Sequence, residues 1–218
     1  MTGLAHRGFS IADKSHHLAA YLGSNGFETA LCGVQHETSG NPIELGYQKI
    51  LTDFSAEGNY EALDLANTRK ALEYLEEDKD RPFFLSLGFH NTHREYPAVK
   101  SPTNPDYVMP PFPLPDCPET RKDFASYIDS VSVVDRCCGM ILNTLQKTGL
   151  MDNTVILFTT DHGIAFPKMK CNLYDTGIGV AMILKYPGNP SCGKVIDALV
   201  SQLDVYPTLM TLLGVQKP

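Results

Sequence analysis

The chain has 218 residues, of which 43% are hydrophobic and 20% charged, the composition of an ordinary globular protein with a sizeable core. Its formal net charge of −7 argues against a general binder of nucleic acid or anionic membranes, because both need a basic face. No apolar run approaches the roughly 18 residues that a bilayer-spanning helix requires. A local cluster of Lys, Arg and His could still bind a small anion inside such an acidic protein.

The first ten residues contain no apolar core of signal-peptide length. We therefore expect either a cytoplasmic protein or a longer chain that starts upstream of Met1. The six cysteines contain no CxxC pair and no metal-knuckle spacing, so they leave the compartment open. They are Cys32, Cys117, Cys137, Cys138, Cys171 and Cys192.

Helix-like and strand-like hydrophobic patterns alternate along the chain, which predicts an α/β fold with a mainly parallel sheet sandwiched by helices. Two loops of unusual length are expected at 37–58 and 91–118, and the second is rich in proline. In chain order, the elements predicted are a helix at 15–22, a strand at 28–32, a helix at 60–77, a strand at 83–89, a helix at 119–145, strands at 155–160 and 181–185, and a closing helix at 203–213.

Polar side chains follow three of the predicted strands at the point where each strand ends. His36 follows the strand at 28–32, the segment His90–Arg94 follows the strand at 83–89, and Asp161-His162-Gly163 follows the strand at 155–160. Ligands of open α/β sheets bind beyond the carboxyl ends of the strands. We therefore expect these groups to meet at the same edge of one sheet.

Asp161 and His162 could both reach one cation from a strand terminus, with Gly163 allowing a tight turn. The alternative is an ordinary turn in which Asp161 caps the next segment and His162 is only exposed. Two ligands are too few for a metal ion, so further ligands would have to come from elsewhere.

The segment from His90 to Arg94 combines two histidines and an arginine, which suit proton transfer and oxyanion binding. A solvated loop is the alternative, and on these residues alone the two interpretations are equally good. Taken alone, His36 is typical of a structural histidine. Lys170 is typical of a surface lysine, although it follows the Asp-His-Gly turn within one loop.

Together these motifs, in this order, resemble the sulfatase family of the alkaline-phosphatase-like superfamily. The resemblance covers nearly the whole chain, and two segments are most similar to the heparan N-sulfatase (N-sulfoglucosamine sulfohydrolase) branch, namely Gly3–Phe9 and Gly33–Glu37. The other segments that carry it are Phe83–Leu85, Asn91–Arg94, Leu150–Gly163, Asn172–Ile178, Met182–Gly188 and Leu199–Leu209.

The resemblance implies a calcium-dependent hydrolase of sulfate esters or sulfamates on a sulfated carbohydrate. In this family a hydrated formylglycine, made from the Cys or Ser of a C/S-x-P-x-R motif, attacks sulfur, and calcium stabilises its negative charge. By position, Asp161 and His162 would be metal ligands. The catalytic residues would be His93 (sulfate binding and leaving-group protonation), Lys170 (sulfate binding) and His36 (contact with the nucleophile), and the substrate-binding residues Arg94 and His90.

The chain also departs from the family pattern. It contains no C/S-x-P-x-R motif, and Val34 stands where the family has a lysine two places before His36. We therefore expect residues 1–218 to be an incomplete large catalytic domain, with the nucleophile and two further metal-binding aspartates upstream and a smaller subdomain downstream. Family members are often periplasmic, secreted or lysosomal. The alternatives are a remnant without catalytic activity and a phosphoester hydrolase of the same superfamily.

Overall fold

The computed structural model describes residues 4, 6, 8–97, 103–189 and 193–216. Its central element is β1 (Glu28–Gly33), which pairs in parallel with β2 (Lys49–Ile50) on one side and with β3 (Phe83–Gly88) on the other. Four consecutive residues of β1 are buried, as expected for the middle strand of a parallel sheet covered on both faces. The parallel α/β architecture predicted from the sequence is therefore confirmed.

The other two strands form a separate pair. Strand β4 (Ile156–Thr159) pairs with β5 (Met182–Lys185) in antiparallel orientation. Within the described ranges, β4 makes no ladder with β3, so the expectation that all three site-bearing strands belong to one hydrogen-bonded sheet is wrong. The strand predictions were right element by element, but hydrophobic periodicity carries no information on which strands pair.

Four helices lie close to the predicted positions, namely α1 (Leu18–Ser24), α2 (Tyr60–Glu76), α3 (Pro118–Lys147) and α5 (Val205–Leu212). The one-turn helix α4 (Asp175–Ile178) was not predicted. Local chemistry sets these starts. The side chain of Asn59 accepts a hydrogen bond from the first turn of α2, and Pro118, which has no N–H to satisfy, occupies the first position of α3. No helix in the described ranges is long and apolar enough to span a membrane.

One further region differs from the sequence-based expectation. The predicted loop at 37–58 contains β2 and a 3₁₀ helix at Pro42–Leu45, both too short to produce a hydrophobic period. The five described cysteines (Cys32, Cys117, Cys137, Cys138 and Cys171) are free thiols, while Cys192 lies outside the described residues.

Helices cover the strands on two opposite sides. Phe84 of β3 and Val155, just before β4, pack against a cluster formed by α1 and α5. Phe83 of β3 and Ile156 of β4 pack instead against a cluster that includes residues of α2 and α3. Because neighbouring residues of a strand point to opposite faces, β3 and β4 lie in the same layer between the same two groups of helices.

The ends of β1 and β3 approach so closely that the last residue of each strand, Gly33 in β1 and Gly88 in β3, has no room for a side chain. A Cβ on Gly88 would lie 2.0 Å from the carbonyl oxygen of Val34, and one on Gly33 would lie 2.0 Å from that of Gly88. Gly33 also has a φ of +79°, which disfavours any residue with a Cβ. The contact brings the segment that carries His36 next to the segment that carries His90.

We predict that Gly88→Ala lowers the free energy of unfolding by about 3 kcal/mol, the upper end for overpacking, because backbone atoms block the new Cβ. The matched control is Gly139→Ala in α3, where an added Cβ meets nothing within 4 Å. Removing a helical glycine there is expected to stabilise the chain by about 0.5–1 kcal/mol. Urea unfolding followed by circular dichroism measures both; equal effects would contradict the close approach.

Burial of Tyr47 gives a prediction for alkaline pH. This side chain is 2% exposed, and burial raises its pKa to about 12. In the unfolded chain it ionises near pH 10, so its contribution to stability is complete below about pH 10 and is lost as the pH rises to about 12. Between pH 9 and 12, the free energy of unfolding of Tyr47→Phe should therefore rise by on the order of 2 kcal/mol relative to that of wild type. Chemical denaturation across that pH range measures both proteins. A constant difference between their free energies of unfolding would contradict the prediction.

Candidate active site

The ends of β1, β3 and β4 border one cavity of about 3340 Å³. Its volume exceeds the roughly 300–1000 Å³ of a small-ligand pocket, because it also extends along the whole of β3 and β4. The three strand ends therefore border the same cavity, although β4 belongs to a separate pair of strands. Six of the seven site residues predicted from the sequence line this cavity: His36, His90, His93, Asp161, His162 and Lys170.

Arg94 is the seventh, and it does not belong to the described lining of the cavity. Its guanidinium donates to both carboxylate oxygens of Asp123, at 3.0 and 2.6 Å, and to the carbonyl oxygen of Ala165 at 2.8 Å. The guanidinium carbon also lies 4.5 and 4.8 Å from the ring centres of Tyr96 and Phe166. These contacts tie the segment after β3 to the segment after β4. Substrate binding by Arg94, which remains a prediction, would require it to leave Asp123.

Asp64 of α2, whose side chain is fully buried, anchors His90 and Asn91 through hydrogen bonds. One carboxylate oxygen accepts from the backbone N–H of His90 at 2.7 Å and from its Nδ1 at 2.9 Å. The other accepts from the backbone N–H of Asn91 at 2.9 Å and from its side-chain amide at 2.8 Å. Ser130 of α3 donates to the amide oxygen of Asn91 at 2.8 Å.

Sequence reasoning missed Asp64 as a site residue. A signal was available, since a carboxylate one turn into an amphipathic helix is rarely buried unless it has a partner. It also missed Tyr60, the first residue of α2. The Tyr60 ring stacks on His90 with centroids 5.5 Å apart and meets the edge of His93 at 6.2 Å. Tyr60 therefore contacts both histidines.

His93 is exposed, and its Nδ1 lies within hydrogen-bond distance of the Arg94 carbonyl oxygen. A carbonyl can only accept, so Nδ1 carries the proton. The Nε2 atom is then available to accept a proton or, in the imidazolium form, to donate to an anion. His36 at the end of β1 is also exposed to the cavity.

Asp161 and His162 lie side by side after β4, with 3.3 Å between the carboxylate and Nε2. The Asp161 side chain is 85% exposed, and the Nδ1 of His162 donates to the carbonyl oxygen of Gly163 at 2.8 Å. In the ranges that the structure describes, no group of three or more His, Cys, Asp or Glu could hold a metal ion. These two residues can supply part of a calcium site, which needs about six to eight oxygen ligands.

Lys170 is placed by a loop closed between Gly163 and Gly177. The N–H of Gly163 donates to the carbonyl oxygen of Gly177 at 2.8 Å, and an added Cβ on Gly163 would lie 1.9 Å from the oxygen of Thr176. Gly163 is thus required for close approach between two backbone segments. The N–H of Lys170 donates to the oxygen of Ile164 at 3.0 Å, which holds the lysine next to the Asp161 turn.

The arrangement combines Lys170 with histidines beyond the carboxyl ends of β1, β3 and β4, which suits the binding of a tetrahedral oxyanion and proton transfer to a leaving group. A family model for sulfatases matches residues 1–215. The chain belongs to the sulfatase family. Its architecture is that of the alkaline-phosphatase-like sulfatases.

Among curated proteins, the chain is similar to the human N-sulphoglucosamine sulphohydrolase, with 28% identity over 96% of this chain and 47% of the relative. It thus spans about half the length of that relative. Among solved structures it is similar to Ps i-CgsB in complex with k-i-k-neocarrahexaose, with a TM-score of 0.74, 22% identity, and coverage of 98% of this chain and 56% of the other. A second is BT4656 in complex with its substrate D-glucosamine-2-N,6-O-disulfate, with a TM-score of 0.73, 17% identity, and coverage of 100% and 64%.

We predict that Arg94→Lys loosens the contact between the segments after β3 and β4, because lysine cannot reproduce the fork to Asp123 and the bond to Ala165. The amides of 163–170 should exchange with solvent several-fold faster, as measured by hydrogen–deuterium exchange mass spectrometry. The control is Arg136→Lys, where a half-exposed arginine bonds Glu61 at 2.7 Å and little change is expected. Equal exchange in both variants would contradict the role of Arg94.

Proposed function

We propose that the chain forms part of the catalytic domain of a sulfuric ester or sulfamate hydrolase that acts on a sulfated carbohydrate. The observation that carries the proposal is the convergence of His36, His90, His93 and Lys170 with the Asp161-His162 pair on one cavity. The similarity to N-sulphoglucosamine sulphohydrolase over 96% of this chain supports the carbohydrate class.

Each basic group would have a role that suits its chemistry. Lys170 would hold a sulfate oxygen as a point charge, since an ammonium group has three donors and no fixed plane. His93 would bind sulfate and protonate the leaving oxygen or nitrogen, because its Nδ1 is engaged by the Arg94 carbonyl oxygen and its Nε2 can donate in the imidazolium form. His36 would contact the nucleophile from the end of β1. His90 would complete the anion-binding set.

Calcium is part of the proposal, with Asp161 and His162 as two of its ligands. The exposed carboxylate of Asp161 is the type of oxygen ligand that Ca²⁺ prefers, whereas His162 is an unusual ligand for a hard cation. When bound, the cation would supply positive charge that offsets developing negative charge at the nucleophile. The remaining ligands would have to come from outside the pair.

We propose that residues 1–218 alone bind sulfated sugar without turning it over, since the sequence contains no C/S-x-P-x-R motif. The measurement is hydrolysis of a chromogenic aryl sulfate by the purified chain, with His93→Ala as background. Turnover above that background would contradict this part of the proposal. Faster turnover of an aryl phosphate than of the sulfate would favour a phosphoester hydrolase instead.

Binding of N-sulfoglucosamine tests the site itself. We predict that Lys170→Ala weakens binding by about tenfold, since a hydrogen bond to a charged group is worth about 1.5–3 kcal/mol. Lys147→Ala is the matched control, because Lys147 is exposed at the end of α3 and outside the described lining of the cavity. Isothermal titration calorimetry with N-sulfoglucosamine and with unsulfated glucosamine gives the comparison. Equal affinity for the two sugars would indicate a remnant that does not recognise sulfate.

A further inference from the structure

The buried carboxylate of Asp64 does more than anchor a loop, because one of its four donors is a side chain at the site. Three of the hydrogen bonds come from two backbone N–H groups and the amide of Asn91. The fourth joins the carboxylate to Nδ1 of His90 at 2.9 Å. A buried carboxylate that accepts from an imidazole is the arrangement by which proteins fix the tautomer and orientation of a working histidine.

The contact determines which nitrogen of His90 carries the proton. An ionised carboxylate has no donor, so Nδ1 must supply the hydrogen of this bond. The second nitrogen, Nε2, is then the one left for the cavity that the ring lines. No described residue accepts from or donates to Nε2, and the ring is held flat against Tyr60 with centroids 5.5 Å apart. The side chain of His90 is 27% exposed, although its Nδ1 is engaged by a fully buried carboxylate.

We propose that Asp64 is a positioning residue that holds His90 in the Nδ1–H tautomer and presents its Nε2 to the sulfate-binding cavity. There Nε2 accepts a hydrogen bond in neutral imidazole and donates one to a sulfate oxygen in the imidazolium form. Only the identity of the ligand rests on the proposed function. The tautomer follows from the contacts of Asp64 alone.

The same carboxylate also couples the ring to the position of the loop. Both of its oxygens are saturated by His90 and Asn91, and Ser130 extends the network to α3 through the amide oxygen of Asn91. Loss of Ser130 therefore loosens the loop but leaves the bond from His90 to Asp64 intact. This makes Ser130→Ala a structural control for Asp64→Asn, which removes the negative acceptor.

The experiment is a long-range ¹H–¹⁵N correlation spectrum of the 218-residue chain labelled with ¹⁵N-histidine, which separates the two tautomers of each of its seven histidines. His90 is assigned by its loss in His90→Gln. We expect a single Nδ1–H tautomer in wild type and in Ser130→Ala, and a mixture of tautomers in Asp64→Asn. An Nε2–H tautomer or averaging in wild type would overturn the proposal, and so would an unchanged spectrum in Asp64→Asn. If Asp64→Asn does not fold, the wild-type and Ser130→Ala spectra decide.

Addition of inorganic sulfate to the same samples separates this inference from the proposed function. A saturable shift of the His90 Nε2 signal that is at least several-fold smaller in Asp64→Asn supports both. A fixed Nδ1–H tautomer without any response to sulfate leaves Asp64 as the positioning residue and contradicts the proposed ligand. A response to sulfate that is equal in wild type and Asp64→Asn contradicts the positioning role and leaves the ligand in place.

Discussion

The parallel pairing of β1 and β3 is the constraint on which the site depends. Its six-residue register ends at two glycines whose backbones touch, and directly beyond them lie the segments of His36 and His90. Because a side chain at either glycine would push the strands apart, the distance between these segments is set by backbone contact. The site is thus attached to the most buried part of the sheet.

Buried polar side chains of α2 extend this constraint from the sheet to the helices. Asp64, Asn67 and Thr68 occupy the buried face of α2, where apolar residues would ordinarily be expected. Asn67 accepts from the backbone N–H of Asp53, Thr68 donates to the carbonyl oxygen of Asp64, and Asp64 holds the segment after β3. Since an unpaired buried polar group costs about 1–3 kcal/mol, the contacts of Asn67 and Asp64 each favour one loop conformation over others, while Thr68 satisfies its hydroxyl within α2.

The segments after β3 and β4 are joined by an aromatic and cationic cluster. Tyr96 and Phe124 each contact the rings of Tyr127 and Phe166, which also contact each other. Arg94 lies over the rings of Tyr96 and Phe166. Stacking on aromatic rings and two parallel hydrogen bonds to a carboxylate both require a planar guanidinium, which explains why residue 94 is an arginine. The cluster connects the two sheets at their carboxyl ends, although no backbone ladder in the described ranges joins β3 to β4.

The sequence by itself determined the family and the longer elements. Periodicity located α2, α3, β3 and β4 to within a few residues, and the polar groups after three strands predicted five residues that do line one cavity, to which the family resemblance added Lys170. These features are local, since they depend on neighbours along the chain. Only the tertiary structure decided that β4 lies in a second sheet, that Arg94 bonds Asp123 and Ala165, and that Asp64 lies beneath His90. The partners in these contacts are 26 to 71 residues apart in the sequence, and a hydrophobic pattern contains no information about pairings over such distances.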